Sequence, residues 1–329
     1  MVLLLIGTCP LRANDSSAAM AAGGLTLVKN QQVRMVSEVL RIAPRLVEVT
    51  YVFQNTESDD VTTLVAFPLP DLDQQTLNVH PVNLAFEGKA NFVGFEVWSD
   101  GREIAPDVDV RAFDDRGRDV TAELRRLGVD PVNPSLDEVR HGAALRSQHL
   151  AEFEDKDILP IWKTRVSFHW QQTFPAGKQI TIRHRYRPVY GSWYTPTDSR
   201  VSRVKTSSEL GGPWCFDRGF VAAEQRLLDR ESAANKNGSG GSDILYDNVQ
   251  YVLKTGANWH GPIGRFELQI DKGRADLVST CPVQGLTLQR VPYGFSGVAI
   301  DYTPTSDLDI LFVSSRFLGK ADGTDARTK

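Results

Sequence analysis

Arg165-Val166-Ser167-Phe168-His169-Trp170-Gln171-Gln172-Thr173-Phe174-Pro175-Ala176-Gly177-Lys178-Gln179-Ile180-Thr181-Ile182-Arg183-His184-Arg185-Tyr186-Arg187 decides how the chain is read. Val166, Phe168 and Trp170 alternate with polar residues, and Ile180, Ile182, His184 and Tyr186 do so again. Alternation with period two places every second side chain on one face of a strand, so each run carries one dry face. Pro175-Ala176-Gly177-Lys178 supplies a turn between them, and residues 165–187 are expected to form a long hairpin. Arg183, Arg185 and Arg187 fall at alternating positions and are read as the solvated face of a strand.

The same pattern extends in both directions. Upstream, Val47, Val49, Tyr51 and Phe53 alternate with Glu48, Thr50 and Gln54, and the strand ends at Asn55. Ser58-Asp59-Asp60 then turns the chain into a strand over 61–67, which Pro68 and Pro70 stop because proline cannot donate to the ladder. Downstream, alternation returns at Val249, Tyr251 and Leu253, at Phe266, Leu268 and Ile270, and at Val298, Ile300 and Tyr302. Strands without a βαβ rhythm indicate a mostly β chain with antiparallel β-sandwich architecture, a short helical insert and a second β-rich region.

Three segments change to helical spacing. Residues 119–127 carry Val120, Leu124 and Leu127, with Gly128 placed to end the helix. Residues 135–150 open with Ser135 and Glu138 at capping-box spacing. Residues 217–231 align Phe220, Ala223 and Leu227. The first two make a polar insert over 119–150, and the glycine- and serine-rich stretch 232–242 reads as a flexible loop. The expected division is an N-terminal sandwich over 14–190, a C-terminal β-rich region over 191–315 and a disordered tail over 316–329. The alternative is that both β regions share one sheet.

The composition is 41% hydrophobic and 24% charged, enough apolar material for a sizeable core. A net charge of −4, with the basic residues interspersed among acids, argues against nucleic acid as a partner. Residues 1–13 resemble the apolar core and cleavage site of a secretory signal peptide, with the mature chain starting at Asn14. No later segment has the roughly 18–20 apolar residues that a bilayer span requires. Loss of Cys9 with the signal would leave Cys215 and Cys281, which have one possible intramolecular pairing in an oxidising periplasm. Closing that loop stabilises by about 4 kcal/mol on the chain-entropy model.

Several stretches together resemble a known family. They are Asn14-Asp15-Ser16-Ser17, Gly23-Gly24-Leu25, the segment 47–55, Ala66-Phe67-Pro68-Leu69-Pro70, Phe174-Pro175-Ala176-Gly177 and His184-Arg185-Tyr186-Arg187-Pro188. The most specific is Thr255-Gly256-Ala257-Asn258-Trp259-His260-Gly261-Pro262-Ile263-Gly264-Arg265-Phe266, followed by Asp271-Lys272-Gly273. These are similar to the bacterial domain-of-unknown-function family 4424. The resemblance implies a secreted or periplasmic protein and brings no catalytic residues with it. The first strands are also similar, over a shorter stretch, to the vault and inter-alpha-trypsin-inhibitor type β-sandwich module, which is an interaction domain.

Patterns that carry chemistry are sparse in the chain. His80, His141, His149, His169, His184 and His260 show neither His-Glu-x-x-His nor zinc-type Cys/His spacing. The acids at Asp114, Asp115 and Asp119, and at Asp307 and Asp309, lack the calcium-loop pattern. Gly294-Phe295-Ser296-Gly297 misses the nucleophile elbow by one position, and no phosphate-cradling glycine loop implies a cofactor. What remains is a candidate recognition loop at Asn258, Trp259 and His260, where an indole beside an amide and an imidazole could grip a sugar or peptide. Trp259 could equally plug the end of the sandwich, and Trp193, Tyr194 and Trp214 leave the same alternatives. The expected function is a non-enzymatic binding module of the bacterial envelope, with an envelope protein or glycan as partner. The alternative is a periplasmic hydrolase acting on polysaccharide or peptidoglycan.

Overall fold

A computed structural model of the chain describes residues 15–21, 24–79, 82–86, 88–154, 157–197, 214–236 and 243–315. The signal-like segment 1–13, the tail 316–329 and His80 lie outside the described residues. An eight-stranded sheet runs in the order Gln289–Val291, Gly294–Tyr302, Ile263–Asp271, Val33–Ala43, Leu46–Asn55, Gln179–Tyr186, Glu96–Ser99, Arg102–Ile104. Two smaller sheets face it. One, of six strands, contains Ser16–Ala21, Val61–Pro68 and Lys163–Phe174. The other, of five strands, is built on Tyr190–Thr195, Ile244–Tyr251 and Leu308–Ser314.

The fold is β-rich, as expected, but its strand partners differ from the sequence reading at an instructive place. Lys163–Phe174 belongs to the six-stranded sheet and Gln179–Tyr186 to the eight-stranded one. Residues 165–187 are therefore not a hairpin. The chain crosses from one layer to the other at Pro175–Lys178, so the two dry faces meet across the core instead of lying side by side. Leu46–Asn55 and Val61–Pro68 are related by the same kind of crossing. Alternation reports that a strand has one dry face, and both arrangements bury it equally well.

Asn55 ties the two crossings together. It is fully buried, and its Nδ2 donates to the carbonyls of Asp59 and Phe174, each at 2.8 Å. Its Oδ1 accepts from the backbone N–H of Glu57 at 2.8 Å. Asp60 completes the corner by accepting from the backbone N–H of Ala176.

The strands either side of residue 190 share one sheet and one core. Ile263–Asp271 pairs in parallel with Val33–Ala43, so the eight-stranded sheet is mixed and not wholly antiparallel. A single cluster contains Leu40, Tyr51, Phe53, Phe67 and Phe168 together with Tyr251, Phe266, Ile310 and Phe312. The outer face of the large sheet is charged. Arg183 pairs with Glu48, Arg185 with Glu96 and Arg41 with Asp271.

The helical insert holds Thr121–Arg126 and a π-helical turn, Glu138–Gly142, that continues into Ala143–Gln148. Gly128, with φ of +72°, ends the first helix as expected. The second is capped at Asp137, whose side chain accepts from the Arg140 N–H, and not by a box at Ser135. The insert packs Val120, Leu124, Leu145 and Trp162 into a small core of its own. The third helix, Arg218–Lys236, runs past the predicted end at 231, so the start of the stretch read as a loop is helical.

Replacing Asn55 by Ala removes three side-chain hydrogen bonds and leaves the Phe174 carbonyl short of a donor. A loss of about 2–3 kcal/mol is expected in urea denaturation. An unchanged midpoint would mean that the corners hold without it.

Candidate functional site

Among the described residues no helix is long and apolar enough to cross a membrane, and no group of three or more His, Cys, Asp or Glu side chains could hold a metal ion. Two places combine polar groups in unusual surroundings. One is sealed in the core and the other opens to the surface.

The sealed place lies under the candidate recognition loop. Trp259 is 2% exposed, with its indole against Phe53 at 4.6 Å and Phe174 at 5.8 Å between ring centres. Its Nε1 donates to the Asp15 carbonyl at 2.6 Å, and Asn258 Nδ2 donates to Ser16 Oγ at 2.9 Å. The Asn258 carbonyl accepts from Asn30, and the His260 N–H donates to Val33. The loop thus grips residues 15 and 16 of its own chain. Trp259 fills the end of the sandwich and offers no ring face to a ligand, while His260 is exposed beside it.

Below the loop, Asp15, Glu38 and His184 are all fully buried. His184 Nε2 stands 3.5 Å from Asp15 Oδ2, and the Tyr51 and Tyr251 hydroxyls meet at 3.3 Å. Burial, reinforced by the nearby Glu38 carboxyl, pushes Asp15 well above the usual carboxylate range. Burial alone lowers His184 to about 3. His184 is therefore neutral at neutral pH, and its contact with Asp15 is not an ion pair. Phe67, Phe95, Tyr51 and Trp170 surround the imidazole.

The open place is a cleft of about 200 Å³ between the start of helix Arg218–Lys236 and the turns before Leu277–Thr280 and Gly294–Tyr302. Phe220, Leu277, Val278 and Pro292 give it apolar walls, and Lys272 and Arg290 bring positive charge. Asp217 caps the helix, with Oδ1 accepting from the Phe220 N–H at 2.6 Å and Oδ2 held by Arg290 at 2.9 Å. The Phe220 amide, followed by Arg290, holds the Asp217 carboxyl below its ordinary range. Gly294 closes one side at φ of +145°, where a Cβ would stand 2.1 Å from the Ile270 carbonyl oxygen. The Cys215–Cys281 disulfide joins the residues just before the helix to the strand Leu277–Thr280, so it braces opposite walls. Ser279 Oγ adds a hydrogen bond to the Cys215 carbonyl at 2.6 Å.

The two cysteines and the Trp259 loop stand out in the sequence, and the cleft does not. Lys272 stood in a motif only as one residue of Asp271-Lys272-Gly273, and Arg290 and Asp217 carried no signal. Trp193 stacks on Tyr246 and meets Trp214 at a tilt, both against the small core under the long helix, whereas Tyr194 is 63% exposed.

Two measurements check the sealed place. Trp259→Ala is expected to cost about 3–5 kcal/mol in chemical denaturation, since it empties a core site and strands the Asp15 carbonyl. His184 takes up a proton on unfolding below its free value near 6.5 but resists doing so when folded until about 3. Stability should therefore fall as pH drops through that window, by up to about 1.4 kcal/mol per pH unit from this group. His184→Gln should flatten that limb of a melting-temperature profile, and an identical slope in the variant would assign the acid sensitivity elsewhere.

Comparison with known proteins places the chain in a sequence family without a described activity. No curated protein matches its sequence. A solved structure of a candidate nutrient binding protein from Legionella pneumophila shares 16% identity, with a TM-score of 0.41 over 92% of this chain and 70% of that one. The model of the domain of unknown function DUF4424 matches residues 13–311, from two residues before the buried Asp15 into the strand Leu308–Ser314. The chain belongs to the DUF4424 family.

Proposed function

We propose that this protein is an exported, non-enzymatic binding protein of the bacterial envelope and that the cleft beside helix Arg218–Lys236 is its binding site. The observation that carries this reading is the division of labour between the two places described. The acid–imidazole pair with shifted ionisation, the arrangement a hydrolase would use, has 0% exposure at both side chains. No polysaccharide or peptidoglycan strand reaches it without unfolding the sandwich. The cleft, by contrast, combines apolar walls with a few charged groups, as ligand sites do. A cleft of about 200 Å³ suits a small molecule or one end group of a larger envelope component. The Cys215–Cys281 bond supports an oxidising compartment, which for an exported bacterial chain is the periplasm.

The test examines the periplasmic fraction of cells that make the protein from its own gene. The protein is expected there with Cys215 and Cys281 resistant to alkylation until reduced. Wild type and Ala223→Leu, which fills the cleft from the helix side, are then equilibrated with a small-molecule extract of the envelope. Retention of a component by wild type and its loss in an equally stable Ala223→Leu protein would support the site. Equal retention by both would move binding elsewhere on the molecule.

A further inference from the structure

Resting on the cleft as the binding site, we infer that its ligand class is a small monocarboxylate with a compact apolar body, anchored by Lys272. Lys272 is half-buried in the cleft wall, and its Nζ makes one hydrogen bond, to the Asp276 carbonyl at 3.1 Å. No carboxylate among the described residues lies within ion-pair distance of it. The Asp276 carboxylate is turned to the Ser315 N–H and hydroxyl, and Asp271 is turned to Arg41. An ammonium has three donors, so two remain, on a partly desolvated cation in a chain whose net charge is −4.

The other charged groups of the cleft are already committed. Asp217 takes the first-turn amide of the helix, and the charge of Arg290 is paired with Asp217 at 2.9 Å while its guanidinium lies over the face of Phe295. Lys272 is the one cation of the cleft whose charge no carboxylate among the described residues offsets, which is too little to balance a doubly charged phosphate. A single negative charge matches the single open cation. Phe220, Leu277, Val278 and Pro292 then face the rest of the ligand, which favours an aliphatic or aromatic body over a sugar. At about 200 Å³ the cleft lies below the range that holds drug-sized ligands, so the body is short. The shared chemistry, a carboxylate on a small apolar group, occurs in free organic acids and at the carboxyl terminus of a peptide ending in an apolar residue.

Calorimetric titration of the disulfide-intact protein with isovalerate, benzoate and acetyl-leucine, beside isovaleramide and benzamide, tests this. The acids are expected to bind and the amides to bind at least about tenfold more weakly. Lys272→Gln should weaken the acids by about ten- to a hundredfold and the amides by no more than about threefold, because a neutral carbonyl loses only one uncharged hydrogen bond. Ala223→Leu should abolish binding of all the probes. Preference for acetyl-leucine over isovalerate would point to peptide termini, and the reverse to free acids. Acids and amides binding equally, with both lost in Ala223→Leu, would overturn the carboxylate assignment and leave the cleft as the site. Acid binding untouched by Ala223→Leu would overturn the cleft itself. Binding by none of the probes, or displacement of the acids by inorganic phosphate at equal concentration, would also overturn the assignment.

Discussion

The carboxamide of Asn55 holds together the two corners at which the chain passes from one layer of this protein to the other. Each of its two crossing segments must leave one sheet, turn through the edge of the core and enter the other with its dry face inward. Such corners interrupt the ladder and expose backbone groups where water is excluded, and every one of them needs a partner. Asn55 supplies two donors to carbonyls from both corners and accepts an amide in return. With the corners satisfied, Phe53 and Phe174 can pack edge to face at 5.7 Å, and Trp259 closes over both. The plug at the end of the sandwich is thus seated on the corner that Asn55 holds.

That plug shelters a costly set of residues. Two carboxyls and an imidazole in a dry core are tolerated only when charge is suppressed, and the shifts of Asp15 and His184 act in that direction. The cluster resembles a catalytic constellation in its membership and differs from one in having no route for substrate. Its effect is to make Asp15 and Ser16 integral to the core. The cleft has the opposite character. It lies at the far end of the long helix's first turn, where a disulfide, a capping aspartate and a glycine with no room for a side chain restrict the walls without filling the space.

Much of this was legible in the sequence, though unevenly. Alternation located Lys163–Phe174, Gln179–Tyr186, Leu46–Asn55 and Ile263–Asp271, because period-two patterning is a local property. It could not say which strand each would pair with, since a hairpin and a crossing bury the same side chains. The helical insert was visible from its spacing, but its cap moved from Ser135 to Asp137 because the π-helical turn begins two residues later than the box requires. Trp259 stood out as a residue and was ambiguous as a role, which only its neighbours Phe53, Phe174 and Asp15 could decide. The cleft was invisible. Its walls come from four separate segments, and what distinguishes Lys272 is the placement of every nearby acid toward some other partner.

The parallel ladder between Val33–Ala43 and Ile263–Asp271 has a kinetic consequence. Arg41 and Asp271, 230 residues apart in the chain, meet at 2.7 Å across that ladder. Contacts of such long sequence separation close late, because the loop entropy between them must be lost before they contribute anything. The central sheet therefore keeps an open edge at Val33–Ala43 until most of the polypeptide is available to fill it. A chain arriving from its N-terminus waits with that edge unpaired, exposed to whatever other strand it meets first. Fast folding of an isolated N-terminal piece would bring little, since the strand that completes it arrives near the end.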